Sequence, residues 1–533
     1  MLFHISSNRP NVFHLHRSIV PVFLAFTIFM LVACGGTTST NPSSQSSGPK
    51  SGGDIKVALN ADVVTLDPLK STALVDRQVM LNIYDTLVQV DEHNNIVPDL
   101  ATSWSYKTPT QLIFTLRTGI KFHDGTPLNA QAVVFNMDRI LKTIASPRHS
   151  ELVTVTEVSA IDASHVQFTL KAPFAPLLAT LSDRSGMILS PAVVQKGGDN
   201  FGSAALDAGS GAFSVVEWVK NDHLTVKRYP GYWLKDSQGN SLPYLQSIRY
   251  RPITDGTVEY NNLETGTVDV ADTVDPNSVA SAKANPGLIY KQAPGLSFFG
   301  FQLNTQVAPL NDVHVRRAIA WATNRQEILT SVLKGIGVLA QGPIAPSSWA
   351  FNSSFAPYSY DVNKAKAELA QAKTSGTVSF SMLVPSGSPL NLQEAQFIQA
   401  ELQTAGIAMK IQQQTFATIL SNTQAHNFQA ALIGWSGRPD PDGNLYSWFH
   451  TGGGNNNMLY SNPTVDKLLE DARATSDQAQ RSAAYQKAEQ IIVQDASYIF
   501  INHGVVVQAS TTKIKNFTLL PTGIMVFTAV SLA

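Results

Sequence analysis

The only cysteine in this 533-residue chain, Cys34, stands at the end of a short apolar run, and that position limits what the chain can fold into. Arg9 and Arg17 precede the run over 19–33, and no acidic residue occurs before it, which is the arrangement of a secretory signal. An exported chain with one thiol cannot close an internal disulfide, so its stability must come from packed cores. A single core stops growing at roughly 250–300 residues, so a chain of this length should divide into two or three lobes.

The apolar run is about 15 residues long, short of the roughly 20 that span a bilayer. It ends in Leu31-Val32-Ala33-Cys34-Gly35, which resembles the bacterial lipobox cut by lipoprotein signal peptidase. On that reading 1–33 is a signal peptide and Cys34 becomes a lipid-bearing N-terminus; an uncleaved anchor is the alternative. The segment 34–53 is rich in Gly, Ser and Thr with almost nothing apolar to bury, and reads as a flexible tether. No later apolar run reaches spanning length, so the lipid alone should hold the protein to the membrane. The outer face of the cytoplasmic membrane, periplasmic or cell-surface, is the expected location. Apolar residues make up 44% and charged residues 14% of the chain, a globular composition. With Lys+Arg 38 against Asp+Glu 39, no basic excess exists to neutralise phosphates, and nucleic acid is excluded as a partner.

Hydrophobic periodicity predicts an α/β chain. A strand over 55–59 is followed by a helix over 75–87. Alternating strands at 112–117 and 165–171 flank a helix at 129–144, and further strands follow between 212 and 252. Beyond 295 the expected elements are a strand over 298–304 and helices over 313–333, 363–372, 392–405, 463–474 and 477–495. A strand over 499–510 then returns toward the body. No repeat of solenoid period occurs.

Arg117-Thr118-Gly119-Ile120-Lys121-Phe122-His123-Asp124-Gly125-Thr126-Pro127-Leu128-Asn129-Ala130 resembles the signature of the family 5 extracellular solute-binding proteins. The resemblance continues in the family's order through Asp67-Pro68, Tyr84-Asp85-Thr86-Leu87, Gly209 to Phe213, Tyr232-Trp233, Leu263 to Asp269, Asn311 to Arg325, Gly434-Trp435 with Asp440-Pro441-Asp442, Tyr460 to Pro463, and Arg481 with Tyr485. Asn324 stands where the family usually has Asp. The resemblance implies a two-lobed periplasmic-binding-protein fold of type II, cluster C-like, with an extra α+β subdomain inserted in the first lobe. The expected division is 54–87, 190–295 and 501–533 for the first lobe, 88–189 for the insertion and 296–500 for the second lobe. It implies a monomer that closes on a small solute, a di- or oligopeptide, and delivers it to an ABC permease and ATPase. No cofactor is expected.

In peptide-binding relatives an aspartate shortly after the Gly-Trp pair holds the ligand's α-ammonium. Arg438 aligns with that aspartate here, and a guanidinium suits a carboxylate better than an ammonium. Two readings stay open: Arg438 holds an acidic group of the ligand, or Asp440 takes the ammonium in a loop shortened by one residue. Trp435 would wall the cleft, with core packing as its alternative. Asn456, Asn457 and Tyr460 are candidate hydrogen-bonding residues, although Gly452-Gly453-Gly454 before three Asn equally suits a turn. Tyr84 is a further candidate whose spacing with Leu81 and Val88 also suits a packed helix.

Rival functions find little support. Gly434-Trp435-Ser436-Gly437-Arg438 lacks the last Gly of a hydrolase nucleophile elbow. No H-E-x-x-H pair occurs, and the stretch from Asp440 has Leu445 and Thr451 where a calcium loop needs Gly and Glu. A catalytic or metal site is therefore not expected. An opine, another acidic solute or an oligosaccharide is the alternative ligand, and ligand sensing is the alternative role.

Overall fold

The computed structural model describes residues 51–533 apart from 205, 356, 357 and 375. The signal segment, Cys34 and the tether before residue 51 lie outside the described residues.

Two mixed sheets organise the chain. The first has seven strands in the order Leu288–Pro294, Val505–Thr511, Val270–Ala271, Asp54–Leu59, Ser247–Pro252, His223–Arg228 and Phe213–Val219. Asp54–Leu59 pairs in parallel with both of its neighbours, and the flanking pairs are antiparallel. The second has six, in the order Val338–Leu339, Tyr498–His503, Phe299–Leu303, Ala430–Leu432, Ser379–Pro385 and Ala408–Gln414. Its last three strands are parallel because helices return the chain between them, Pro389–Thr404 and Phe416–Gln424. A third, antiparallel sheet joins Ala101–Thr108, Gln111–Leu116, His165–Leu170 and Val155–Ala160. Helix Ala130–Lys142 packs against it over a separate core containing Phe114, Phe122, Phe168 and Met137. Among the described residues no helix is long and apolar enough to cross a membrane.

The chain passes between the two large sheets twice. It leaves Leu288–Pro294 for Phe299–Leu303 through 295–298, and returns from Tyr498–His503 to Val505–Thr511 through Gly504. The expected strand over 499–510 is thus two strands in different sheets. The crossings run side by side so closely that a Cβ on Gly295 would come within 2.7 Å of the Gly504 carbonyl oxygen, and one on Gly504 within 2.7 Å of the Phe299 ring. Only glycine fits that approach.

Local sequence explains most helix starts. Asn129, Ser190, Asp312, Asp361, Ser388, Asn462 and Asp477 each accept a backbone N–H of the first turn, and Pro follows directly after Ser190, Ser388 and Asn462, as side-chain capping and the N1 preference of Pro require. Two expected helices are shorter than their apolar spacing suggests. Helix Leu74–Ile83 stops before Tyr84, which turns extended so that Thr86 can bridge Met187. The helix expected over 313–333 breaks after Val313–Ala322. Thr323 Oγ1 donates back to the Ile319 carbonyl, and Asn324 recaps a new turn at Glu327 N; such local side-chain bonds compete with helix propagation.

Several carboxyl groups lie deep in these cores. Burial pushes Glu394 up to about 7 and Glu489, which accepts from Ile344 N, up to about 8. An acid whose folded value is raised contributes stability that is intact below its unfolded value and is lost as pH rises through the folded one. Burial lowers His503 to about 4, which works the opposite way only below about pH 6.5. Urea stability should therefore fall from about pH 6.5 to about pH 8.5, and Glu489→Gln should remove about 2 kcal/mol of that fall; an equal fall in the wild type and the variant would contradict it.

Candidate ligand-binding site

The loop after strand Ala430–Leu432 is fixed from three sides. Phe298 and Trp435 exchange backbone hydrogen bonds of 3.0 and 2.8 Å, tying the loop to the first chain crossing. Gly437 has φ +80°, and a Cβ there would lie 2.3 Å from the Leu296 backbone. Asn444, in the first turn of helix Asp442–Phe449, clamps the loop with one side chain. Its Oδ1 accepts from Trp435 Nε1 at 3.0 Å and Arg438 N at 2.7 Å, and its Nδ2 donates to the Arg438 carbonyl at 3.0 Å.

This clamp delivers Arg438 to Asp183, which lies in the segment following the third sheet. Arg438 Nε meets Asp183 Oδ2 at 2.8 Å, its Nη1 donates to the Gly437 carbonyl at 2.7 Å, and its guanidinium lies 4.2 Å over the Trp435 ring. Asp183 is held by Arg77 through Nε at 3.0 Å and Nη2 at 2.9 Å, and it caps the turn Arg184–Gly186 through Arg184 N at 2.7 Å. Burial alone would raise the Asp183 carboxyl, but Arg438, Arg77 and Arg184 hold it well below the usual carboxylate range. Burial pulls the Arg438 guanidinium down despite Asp183. Neighbouring bonds close the same junction: Ala175 N donates to the Arg473 carbonyl at 3.0 Å, Gly454 N donates to Ser150 Oγ at 3.0 Å, and Arg473 forks onto Asp442 with two bonds of 2.8 Å.

A sequence profile of the bacterial extracellular solute-binding proteins, family 5 (middle), matches residues 95–456. The chain belongs to this family. It is 32% identical over 477 residues to the probable D,D-dipeptide-binding periplasmic protein DdpA of Escherichia coli K12, covering 86% of this chain and 90% of that protein. The DppA periplasmic binding protein of Helicobacter pylori, solved with the peptide STSA, superposes with TM-score 0.83 at 27% identity, covering 91% of this chain and 98% of that one. AgaA of Agrobacterium tumefaciens R10, solved with agropinic acid, superposes with TM-score 0.83 at 25% identity, covering 90% and 99% respectively. The architecture is accordingly the two-lobed α/β periplasmic-binding-protein-like fold with mixed sheets, and these relatives are solute-binding proteins rather than catalysts.

Within that family fold the structure brings some of the sequence candidates together and separates others. Trp435 and Arg438 share the junction, with Trp435 also edge-on to Trp448 at 5.5 Å in an aromatic core. Asp440, two residues on, accepts from Arg481 Nη2 at 2.7 Å, and burial raises its carboxyl despite that partner. Asn456 donates to the His450 and Tyr460 carbonyls and accepts from Tyr460 N, so its side chain closes the turn. Asn457 meets His426 through its own carbonyl, and Tyr460 donates to Asp495 at 2.7 Å. Tyr84 sits in the core of the seven-stranded sheet, donating to the Leu66 carbonyl at 2.9 Å.

Arg77, Arg148, Asp183 and Arg184 were not singled out in the sequence. The available signal was polar side chains where apolar ones were expected: Asp76, Arg77, Gln78 and Asn82 all lie on helix Leu74–Ile83, and all are buried. Phe299, 43% exposed yet in contact range of Gly434, was likewise hidden in an apolar strand.

Asn444→Ala would orphan two buried donors and one carbonyl, each costing about 1–3 kcal/mol. The thermal midpoint should fall by several degrees, and solute affinity should fall with it. An unchanged midpoint would show that the loop is held by other means.

Proposed function

We propose that this protein is the substrate-binding component of an ABC importer that captures a short peptide between its lobes and presents it to a membrane permease and its ATPase. The observation that carries this reading is the buried Arg438–Asp183 pair, which joins the loop of the six-stranded sheet to the far wall of the junction. Two surfaces that meet through buried charge can enclose a small solute when they close and release it when they part, the transition expected of periplasmic binding proteins. The peptide ligands named for DdpA and for the Helicobacter DppA support a peptide as the solute.

The finer organisation follows the same reading. The type II, cluster C-like division gives a first lobe of 54–87, 190–295 and the returning C-terminal strands, a second lobe from 296, and an inserted α+β subdomain over 88–189. The strand exchange at Gly504 supports placing the last boundary there rather than after residue 500. Trp435 and Arg438 are the proposed ligand contacts, with Asp440 and Asn457 as further candidates, whereas the side chains of Asn456, Tyr460 and Tyr84 are engaged within the turn and the cores described above. Cys34 is the proposed lipid attachment site on the outer face of the cytoplasmic membrane, and the binder is proposed to act as a monomer.

A second reading, an acidic non-peptide solute such as an opine, is favoured by Arg438 standing at the aligned ammonium position and by the agropinic acid bound to AgaA. Thermal unfolding separates the two. A ligand at about 100 times its dissociation constant adds about 2.7 kcal/mol. Free di- to pentapeptides should raise the midpoint where opines and oligosaccharides do not; stabilisation by opines alone would overturn the peptide reading.

The anchor is tested independently. Cys34→Ser should move the protein from the membrane fraction to the soluble extracytoplasmic fraction, because the described chain offers no spanning helix. Retention of the variant at the membrane would exclude lipid as the anchor.

A further inference from the structure

Helix Phe416–Gln424 connects two strands of the six-stranded sheet, yet only one of its faces packs there. Ile419 joins a small core with Leu383 and Ala431 of that sheet and with Phe428. Leu420, the next residue, does not share that core. It is 7% exposed and lies in the core of the seven-stranded sheet, together with Ile55, Val79 and Tyr250, and Phe416 packs against the same core. Phe416, Leu420 and Gln424 recur every four residues, so they form one stripe along the helix. At the end of the stripe Gln424 Nε2 donates to Thr72 Oγ1 at 3.3 Å. Ala417, Thr418 and Ser421, on the remaining face, are exposed.

The six-stranded sheet and its helices therefore meet the rest of the chain in two chemically different ways. One zone is polar and holds the Arg438–Asp183 pair with the bonds of Ala175 N and Gly454 N. The other is apolar and follows the helix stripe. A second close approach accompanies it: Gly387, at φ +87° just after strand Ser379–Pro385, stands so near Thr254 that a Cβ would lie 2.6 Å from Thr254 Oγ1. Thr254 itself follows strand Ser247–Pro252 of the seven-stranded sheet. Charged pairs across a junction depend on exact geometry and on what lies between them. Burial of Leu420 and Phe416 does not, because removing apolar surface from water is favourable without direction.

We propose that the Phe416–Leu420–Gln424 stripe is a latch that holds the two large sheets together before any solute arrives. Leu420 is then a positioning residue: it sets solute affinity by favouring the closed arrangement, not by touching the solute. The inference rests on lobe closure as the motion of capture and is independent of whether the solute is a peptide. When the sheets part, Leu420 and Phe416 return to water, and when they meet, both are covered by a core that exists in either state. A binding-competent arrangement populated in advance raises apparent affinity in proportion to its population. The apolar zone thus sets the resting equilibrium, and the polar zone is left to select what is enclosed.

The test is the distance between spin labels at Lys227→Cys and Lys410→Cys, exposed positions on the two large sheets. The full chain carries Cys34→Ser, which leaves no other thiol, and pulsed electron paramagnetic resonance is recorded with and without an equimolar pool of free di- to pentapeptides. Without the pool the parent protein should show a short-distance population beside a long one, and the pool should leave mainly the short one. Leu420→Ala should remove most of the short population in the absence of the pool and weaken calorimetric binding of the pool by about 5- to 10-fold. Gln424→Ala, exposed and outside both cores, should lower the short population in part. Ile419→Ala, on the opposite face, should lower the thermal midpoint without changing the distance populations, which separates the latch from a general folding defect. A solute-free parent with the long distance alone, or a Leu420→Ala distribution equal to that of the parent, would overturn the latch; closure by the pool in either case leaves peptide capture standing. A short population that Leu420→Ala removes, in a protein that ignores the pool, supports the latch while the peptide reading falls.

Discussion

The two large sheets share no strand, and the chain passes between them only through 295–298 and Gly504. Everything at the lobe junction depends on that double crossing. The Gly295–Gly504 approach brings the two passes together, and Phe298, on the first pass, supplies the backbone partner of Trp435. Because the crossing is two extended segments rather than a packed layer, few groups need to move for the sheets to change their relation. His503, next to the second pass, lies buried beside the Ser297 carbonyl at 2.9 Å, and burial lowers its imidazole to about 4 despite that bond.

From this fixed point outward, order is imposed by hydrogen bonds to a single amide. Asn444 sets the loop that aims Arg438, and Arg438 then meets a carboxylate already organised by Arg77 and by its own helical turn. A buried ion pair is weak evidence for stability, since desolvation offsets much of the attraction. This one makes more sense as specificity. It joins walls that belong to different sheets, and it leaves neighbouring donors without acceptors. The adjacent pairs, Arg473 with Asp442 and Arg481 with Asp440, are matched one to one.

Much of the fold was legible from local chemistry. Asn129, Ser388-Pro389 and Asn462-Pro463 announce helix starts, and the alternation of 111–116 and 165–170 announces an antiparallel sheet with one face buried. The failures also have local causes. Thr323 and Asn324 bond to nearby backbone and interrupt an apolar spacing that otherwise continues to 333. Gly504 divides a run of strand formers between two sheets, and no periodicity marks where a strand changes its partner.

The candidate site was legible only in its first half. The sequence by itself determined that Trp435 and Arg438 stand three residues apart after a short strand, and that a single cysteine leaves stability to packed cores. Only the tertiary structure decided what Arg438 faces. Asp183 and Arg77 lie hundreds of residues away along the chain, and their buried charges carry no local pattern that distinguishes them from solvated ones. Partner choice among long-range charges is settled by how two sheets meet across a double crossing, which is a property of the assembled fold rather than of any segment of it.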